Sequence, residues 1–163
     1  MAETLGSLID KLTIKSLREF HIHEMIRQKN KKFSRSDLLK KLKILTRQKR
    51  TLDTEIEEFI SLALNKKTLE KDEKLKLYNK VSVMDNVGKV RNLAHAIEKL
   101  GQKNIELWHL EDEARREDVD LSFIGSIKRK IDVANQQRND CIDLIDEMFE
   151  KCVVKMKEKQ RKK

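Results

Sequence analysis

The chain has 163 residues, of which 40% are charged, 4% aromatic and none proline, with a net charge of +9. That length suits one domain, residues 1–163, with a single elongated core. Strictly periodic apolar residues in a charged, proline-free chain exclude a disordered reading and point to long helices.

The first helix is expected from about Glu3 to Asn30, with Leu5, Leu8, Ile9, Leu12 and Phe20 on its apolar face. The polar turn KNKKFSRSD follows, where Ser34 or Ser36 can cap the next helix by accepting a bond from a free backbone amide. The second helix carries Leu38, Leu42, Leu45, Leu52, Ile56, Phe59 and Ala63 in alternating steps of three and four, with Lys49 in the gap. These two helices form hairpin one, about residues 3–64. A connector, 65–88, must return the chain, and Thr68–Lys80 within it is a candidate short helix. Hairpin two spans about 89–157. Its first helix, about Lys89–Arg116, turns Leu93, Ile97, Leu100, Leu107 and Trp108 inward, with Gly101 in its interior. Asp120 or Ser122 caps the last helix, which starts near Phe123 and runs into a basic tail, 151–163. Its stripe is Ile127, Ile131, Ala134, Cys141, Ile145, Met148 and Cys152, near the 3.5-residue period of left-handed bundle packing. Both cysteines are expected to be buried thiols, too far apart on one helix for a disulfide.

The two hairpins repeat each other. LIDKL at 8–12 answers AIEKL at 96–100, and at a spacing of 88 Phe20 pairs with Trp108 and His21 with His109. At a spacing of 89, Leu42 pairs with Ile131, Lys49 with Arg138 and Ile56 with Ile145. The expected fold is therefore all-α: a four-helix bundle built from two tandem, pseudo-twofold-related hairpins with long helices. Lys49 and Arg138 interrupt otherwise apolar stripes, as do Ser16 and Asn104 in the partner helices. Because an unpaired buried cation is costly, Arg138 is expected in the seam, partly buried, beside a side-chain or carbonyl partner.

WHLEDEARR at Trp108–Arg116 and IDVANQQRND at Ile131–Asp140, with ETLGSLIDKLTI at Glu3–Ile14, resemble an uncharacterised bacterial family, domain-of-unknown-function family 4254. The first hairpin departs from the tryptophan-containing pattern, with FHIHE in its place. The resemblance implies an all-α bundle and a loose association with bacterial surface-polysaccharide biosynthesis. It implies no reaction, because the family offers no catalytic residues to carry over.

The residues themselves suggest little catalysis. Glu106 and His109 make one E-x-x-H pair, but a di-iron bundle needs two, and Arg18 stands at the matching position of the first helix. The pair reads as an outer-face pair. His23 falls near the core seam, as a polar residue at the bundle end, and His95 on the surface. Asp132, Asn139, Asp143 and Asp146 form a stripe opposite the core of the last helix, open to three readings: a solvated face, a subunit interface or a magnesium-phosphate site. Phosphate loops, zinc spacings and nucleophile elbows are absent. No catalytic residue, metal or cofactor is assigned.

Charge is uneven. Residues 27–50 hold eleven Lys/Arg against Asp37 alone, and 151–163 hold seven against Glu158, whereas 84–150 hold ten against fifteen acids. Lys31, Lys32, Arg35, Lys40 and Arg47 are thus candidates for weak, salt-dependent polyanion binding. With Phe33 alone available for stacking, a dedicated nucleic-acid role is disfavoured. Attraction between an acidic and a basic hairpin offers a route to a homodimer. The longest apolar run, Phe59–Leu64, is too short to insert in a membrane, and MAETLGSLIDK lacks the features of a signal peptide, so a cytoplasmic location is expected. The leading functional reading is a non-enzymatic binding or assembly module. The alternative is an enzyme or ligand-binding protein for a phosphorylated metabolite such as a nucleotide sugar, using Trp108, Arg115, Asn135, Arg138 and Asn139. The two part on whether these side chains line a concave pocket or a solvated ridge.

Overall fold

The structure, a computed structural model, describes residues 3–29, 32–65 and 90–161. Among the described residues it is all-α, with four helices: α1 (Leu5–Arg27), α2 (Arg35–Asn65), α3 (Leu93–Ala114) and α4 (Leu121–Arg161). The candidate helix Thr68–Lys80 and the basic residue Lys31 lie outside the described residues. None of the described helices is long and apolar enough to cross a membrane.

Each start is set by a short polar side chain. Thr4 Oγ1 accepts from the Ser7 amide, Ser34 Oγ from the Asp37 amide, Asn92 Oδ1 from the His95 amide and Asp120 Oδ1 from the Phe123 amide. These bonds satisfy amides that have no partner within the helix. The α1 end places Lys29 at φ 50°, a left-handed conformation usually given to glycine.

The Phe123 amide, and behind it the Ser122 hydroxyl, hold the Asp120 carboxyl below its usual range. A carboxylate with a depressed folded pKa stabilises the fold fully above the unfolded value of about 3.9 and loses that contribution as pH falls through the folded value. The melting-temperature advantage of the wild type over Asp120→Ala should therefore be constant near neutrality and shrink as pH drops from about 5 to about 2. A constant difference across that range would remove Asp120 from the cap.

Packing follows the expected stripes with three corrections. In α2, Leu38, Leu45, Leu52 and Ala63 are buried, and Leu42, Ile56 and Phe59 half-buried. In α3 and α4 the buried set includes Leu100, Leu107, Ile127, Ile131, Ala134, Cys141 and Ile145. Phe20, however, is 53% exposed. At its level the half-buried face of α1 carries Leu17, His21, Ile22 and Met25, and Phe20 lies off it. His23 is exposed for the same reason, while His21 is half-buried. Cys152 is also exposed. Near the end of α4 the buried face carries Phe149 and Val153, four residues apart, clustered with Ala63, and Cys152 is turned out.

The four helices share a core at one end only. Leu5, Ala63, Ala96, Leu100, Cys141 and Ile145 meet there, with the Phe59 and Phe149 rings 6.0 Å apart. Burial pushes the Cys141 thiol above its ordinary range. Further along, α3 packs on α4 through a separate cluster of Leu107, Ile127, Ile131 and Ala134. There α2 packs on α1, and α2 and α3 do not meet among the described residues. Helix α1 lies against both hairpins' other helices, so the opening between the hairpin tips runs along it.

A polar cleft beside the α1 seam

The floor of the opening is a polar knot. Asp10 of α1 is 4% exposed. Its Oδ1 accepts from Arg138 Nε at 2.9 Å and from Asn104 Nδ2 at 3.0 Å, and its Oδ2 accepts from the Arg138 guanidinium at 2.5 Å. Asn104 Nδ2 also donates to Thr13 Oγ1 at 2.8 Å, and the Thr13 hydroxyl donates to the Asp10 carbonyl. The Asp10 carboxylate holds the Arg138 guanidinium above its ordinary range. Arg138 is thus in the seam with a side-chain partner, and Asn104, the polar break in α3, bonds to the same carboxylate. Lys49, the equivalent cation of hairpin one, pairs with Glu19 at 2.6 Å. Both seam cations are met by carboxylates of α1. A second inter-helix bond lies one turn earlier, where the Gly6 amide donates to Asp146 Oδ1 at 2.7 Å.

Above the knot lies a cleft of about 400 Å³. Helix α1 contributes Ile14, Leu17 and Arg18, α3 contributes Asn104, Leu107, Trp108 and Glu111, together with its C-cap residue Arg115, and α4 contributes Asn135 and Arg138. Four of the five candidate ligand residues, Trp108, Arg115, Asn135 and Arg138, therefore share one concavity. Asn139 does not join them and is exposed. Arg18, Asn104 and Glu111 were missing from the candidate set. Arg18 gives no signal on a single helix, because its role comes from the crossing of α1 over α3. Arg115 pairs with Asp112 at 3.0 Å and Glu111 at 3.4 Å, whereas Arg18 makes no ion pair among the described residues. Three arginines line the cleft with one carboxylate, Glu111, while Asp10 and Asp112 beside it pair with Arg138 and Arg115, so Arg18 is the arginine of the cleft whose charge is not matched by an ion pair among the described residues.

Trp108 forms the far wall. The His21 ring stacks on it at 4.4 Å, 8° from parallel, and His21 Nδ1 is 3.0 Å from Glu24 Oε2. Beyond the stack a second chamber of about 390 Å³ opens between α1 and α2.

The other candidates are dispersed. Glu106 pairs with Lys103 at 2.6 Å and, like His109, is exposed, so the pair does lie on the outer face. His95, expected on the surface, is instead half-buried, its Nδ1 accepting from the Arg91 amide. In the acidic stripe, Asp132 and Asn139 are exposed, while Asp146 serves the start of α1. Among the described residues, no group of three His, Cys, Asp or Glu side chains could hold a metal ion. Of the basic tip, Lys32, Arg35, Lys40 and Arg47 are exposed, and the Lys41 ammonium sits 4.6 Å over the Phe33 ring.

No curated protein and no solved structure matches the chain. Residues 1–71 and 94–163, one stretch for each hairpin, match the family described as Protein of unknown function (DUF4254). That match covers most of the chain, which therefore belongs to the DUF4254 family.

Proposed function

We propose that this protein binds a small phosphorylated metabolite, of the size of a sugar phosphate or nucleotide sugar, in the cleft between α1 and hairpin two. The observation that carries this reading is a concavity lined by three guanidinium groups, of which Arg18 has no ion pair among the described residues. Arg18, Arg115 and Arg138 line one cleft with Asn104 and Asn135, beside a tryptophan, with Arg138 half-buried and Arg18 and Arg115 exposed at its rim. A pocket with a few convergent polar groups against apolar walls is the usual form of a small-molecule site. Guanidinium groups suit phosphate oxygens because their planar forks donate two parallel hydrogen bonds. Arg138 is held rigid by Asp10, and Arg18 is free to move onto a ligand.

Adding glucose 1-phosphate or a nucleotide sugar should raise the melting temperature in a saturable way, since a ligand that binds the folded state alone stabilises it. Arg18→Ala should leave the unliganded melting temperature unchanged and weaken binding about tenfold, the effect of losing one charged hydrogen bond. The absence of a shift with any sugar phosphate or nucleotide sugar would reject the cleft as a phosphate site. A heparin-like glycan in the same titration tests the exposed basic tip. Binding there should be weak and fade with salt, and should survive Arg18→Ala.

A further inference from the structure

The second chamber lies directly behind the Trp108 wall of the polar cleft. Arg18 and Trp108 line both the cleft and the second chamber, so the two adjoin across one arginine and one ring. Their characters differ. The cleft sets arginine and asparagine side chains and Glu111 among Ile14, Leu17 and Leu107. The chamber is walled by Ile22, Met25, Leu38, Ile44 and Leu45, with Phe33 at one side. The charged residues in its lining are cations, Arg18 and Lys41, and no carboxylate is among them. Ile44 is 57% exposed and Phe33 36%, an apolar surface left open on a chain that is otherwise heavily charged. A polar site beside an apolar chamber that is itself edged by cations fits a ligand with an anionic head and an apolar tail.

We infer that the ligand is a single-chain amphiphilic phosphate, its head in the polar cleft and its alkyl chain in the chamber beyond the His21–Trp108 stack. The inference rests on the cleft being the phosphate site proposed above. The volume, about 390 Å³, falls within the range of small-molecule pockets and suits one chain. The shared walls, Arg18 and Trp108, are the reason for assigning both spaces to one molecule, whose chain would pass over the exposed Arg18 side. The cations at the chamber edge favour a phosphate-bearing chain over a neutral one. They also disfavour the basic tip of another copy of this protein.

The test is a homologous series of alkyl phosphates, from methyl to decyl, titrated against the full chain below their micelle concentrations, with glucose 1-phosphate alongside. Affinity should rise about fourfold for each methylene buried and level off once the chamber is full. Ile44→Glu, at an exposed position, should flatten that rise and leave glucose 1-phosphate binding unchanged. A flat series with normal glucose 1-phosphate binding would overturn the amphiphile and leave the phosphate site intact. If glucose 1-phosphate and the whole series fail alike, the phosphate site falls and the inference with it. Binding to anionic vesicles without binding to the dispersed series would overturn it in favour of a membrane surface. A stable dimer broken by Ile44→Glu would do so in favour of a second copy.

Discussion

Arg138→Met should lower the stability of the chain by about 3–5 kcal/mol, the usual cost of removing one partner from a buried ion pair. The two partners are not equivalent. The Asp10 side chain is 6% exposed and that of Arg138 26%. Without the guanidinium, Asp10 keeps the Asn104 amide as its side-chain donor, and a buried carboxylate with one neutral donor is poorly compensated. Without the carboxylate, by contrast, the long arginine stem can swing its head into the open cleft and regain water. Asp10→Leu should therefore cost less than Arg138→Met, and the double variant should recover part of the loss. Chemical denaturation of the four proteins in a double-mutant cycle measures the coupling. If Arg138→Met instead raised stability, the knot would be a net burden on the fold.

The second large effect is a pair of glycine substitutions with opposite signs. An alanine Cβ at position 6 would stand 2.4 Å from the Ile142 carbonyl oxygen and 3.0 Å from its carbon. Those are backbone atoms of α4, so no side chain can rotate away. The α1 and α4 backbones would have to separate, loosening the bond from the Gly6 amide to Asp146. Overpacking of this kind costs about 1–3 kcal/mol. At Gly101, inside α3, a Cβ meets nothing within 4 Å. Alanine there should gain about 1 kcal/mol from helix propensity. Thermal melts of Gly6→Ala and Gly101→Ala decide it, and equal shifts of one sign would contradict the close crossing of α1 and α4.

Much of the fold could be read from spacing. The α2 stripe from Leu38 to Ala63 obeys one period over its whole length, and lateral packing on α1 confirms it. Arg138 betrayed itself as a cation in an apolar stripe. Its partner did not. Asp10 sits in LIDKL between Ile9 and Lys11, where an acid reads as solvated, and the repeat matches it to Glu98, which is exposed. Its burial arises only because α1 is covered by α3 and α4 together, a fact of crossing geometry that no single-helix pattern contains. Arg18 was hidden for the same reason. Phe20 and His23 erred differently: the first half of α1 set the apolar face, and that face turns by a residue where the partner changes. Trp108 and His21 show the consequence, since the repeat pairs Phe20 with Trp108 while the fold stacks His21 on it.

Two helices in contact can still slide along each other or roll about their axes, and ridges and grooves allow alternative settings a turn apart. Here α1 is pinned to α4 at two successive turns, by Gly6 to Asp146 and by Asp10 to Arg138. A slip of one turn, about 5.4 Å, would break both at once. The register of α1 is thus fixed, and with it the span between Arg18 on one wall and Arg115 and Asn135 on the other. A site whose walls cannot drift loses little conformational freedom when it is filled, so more of each contact appears as affinity.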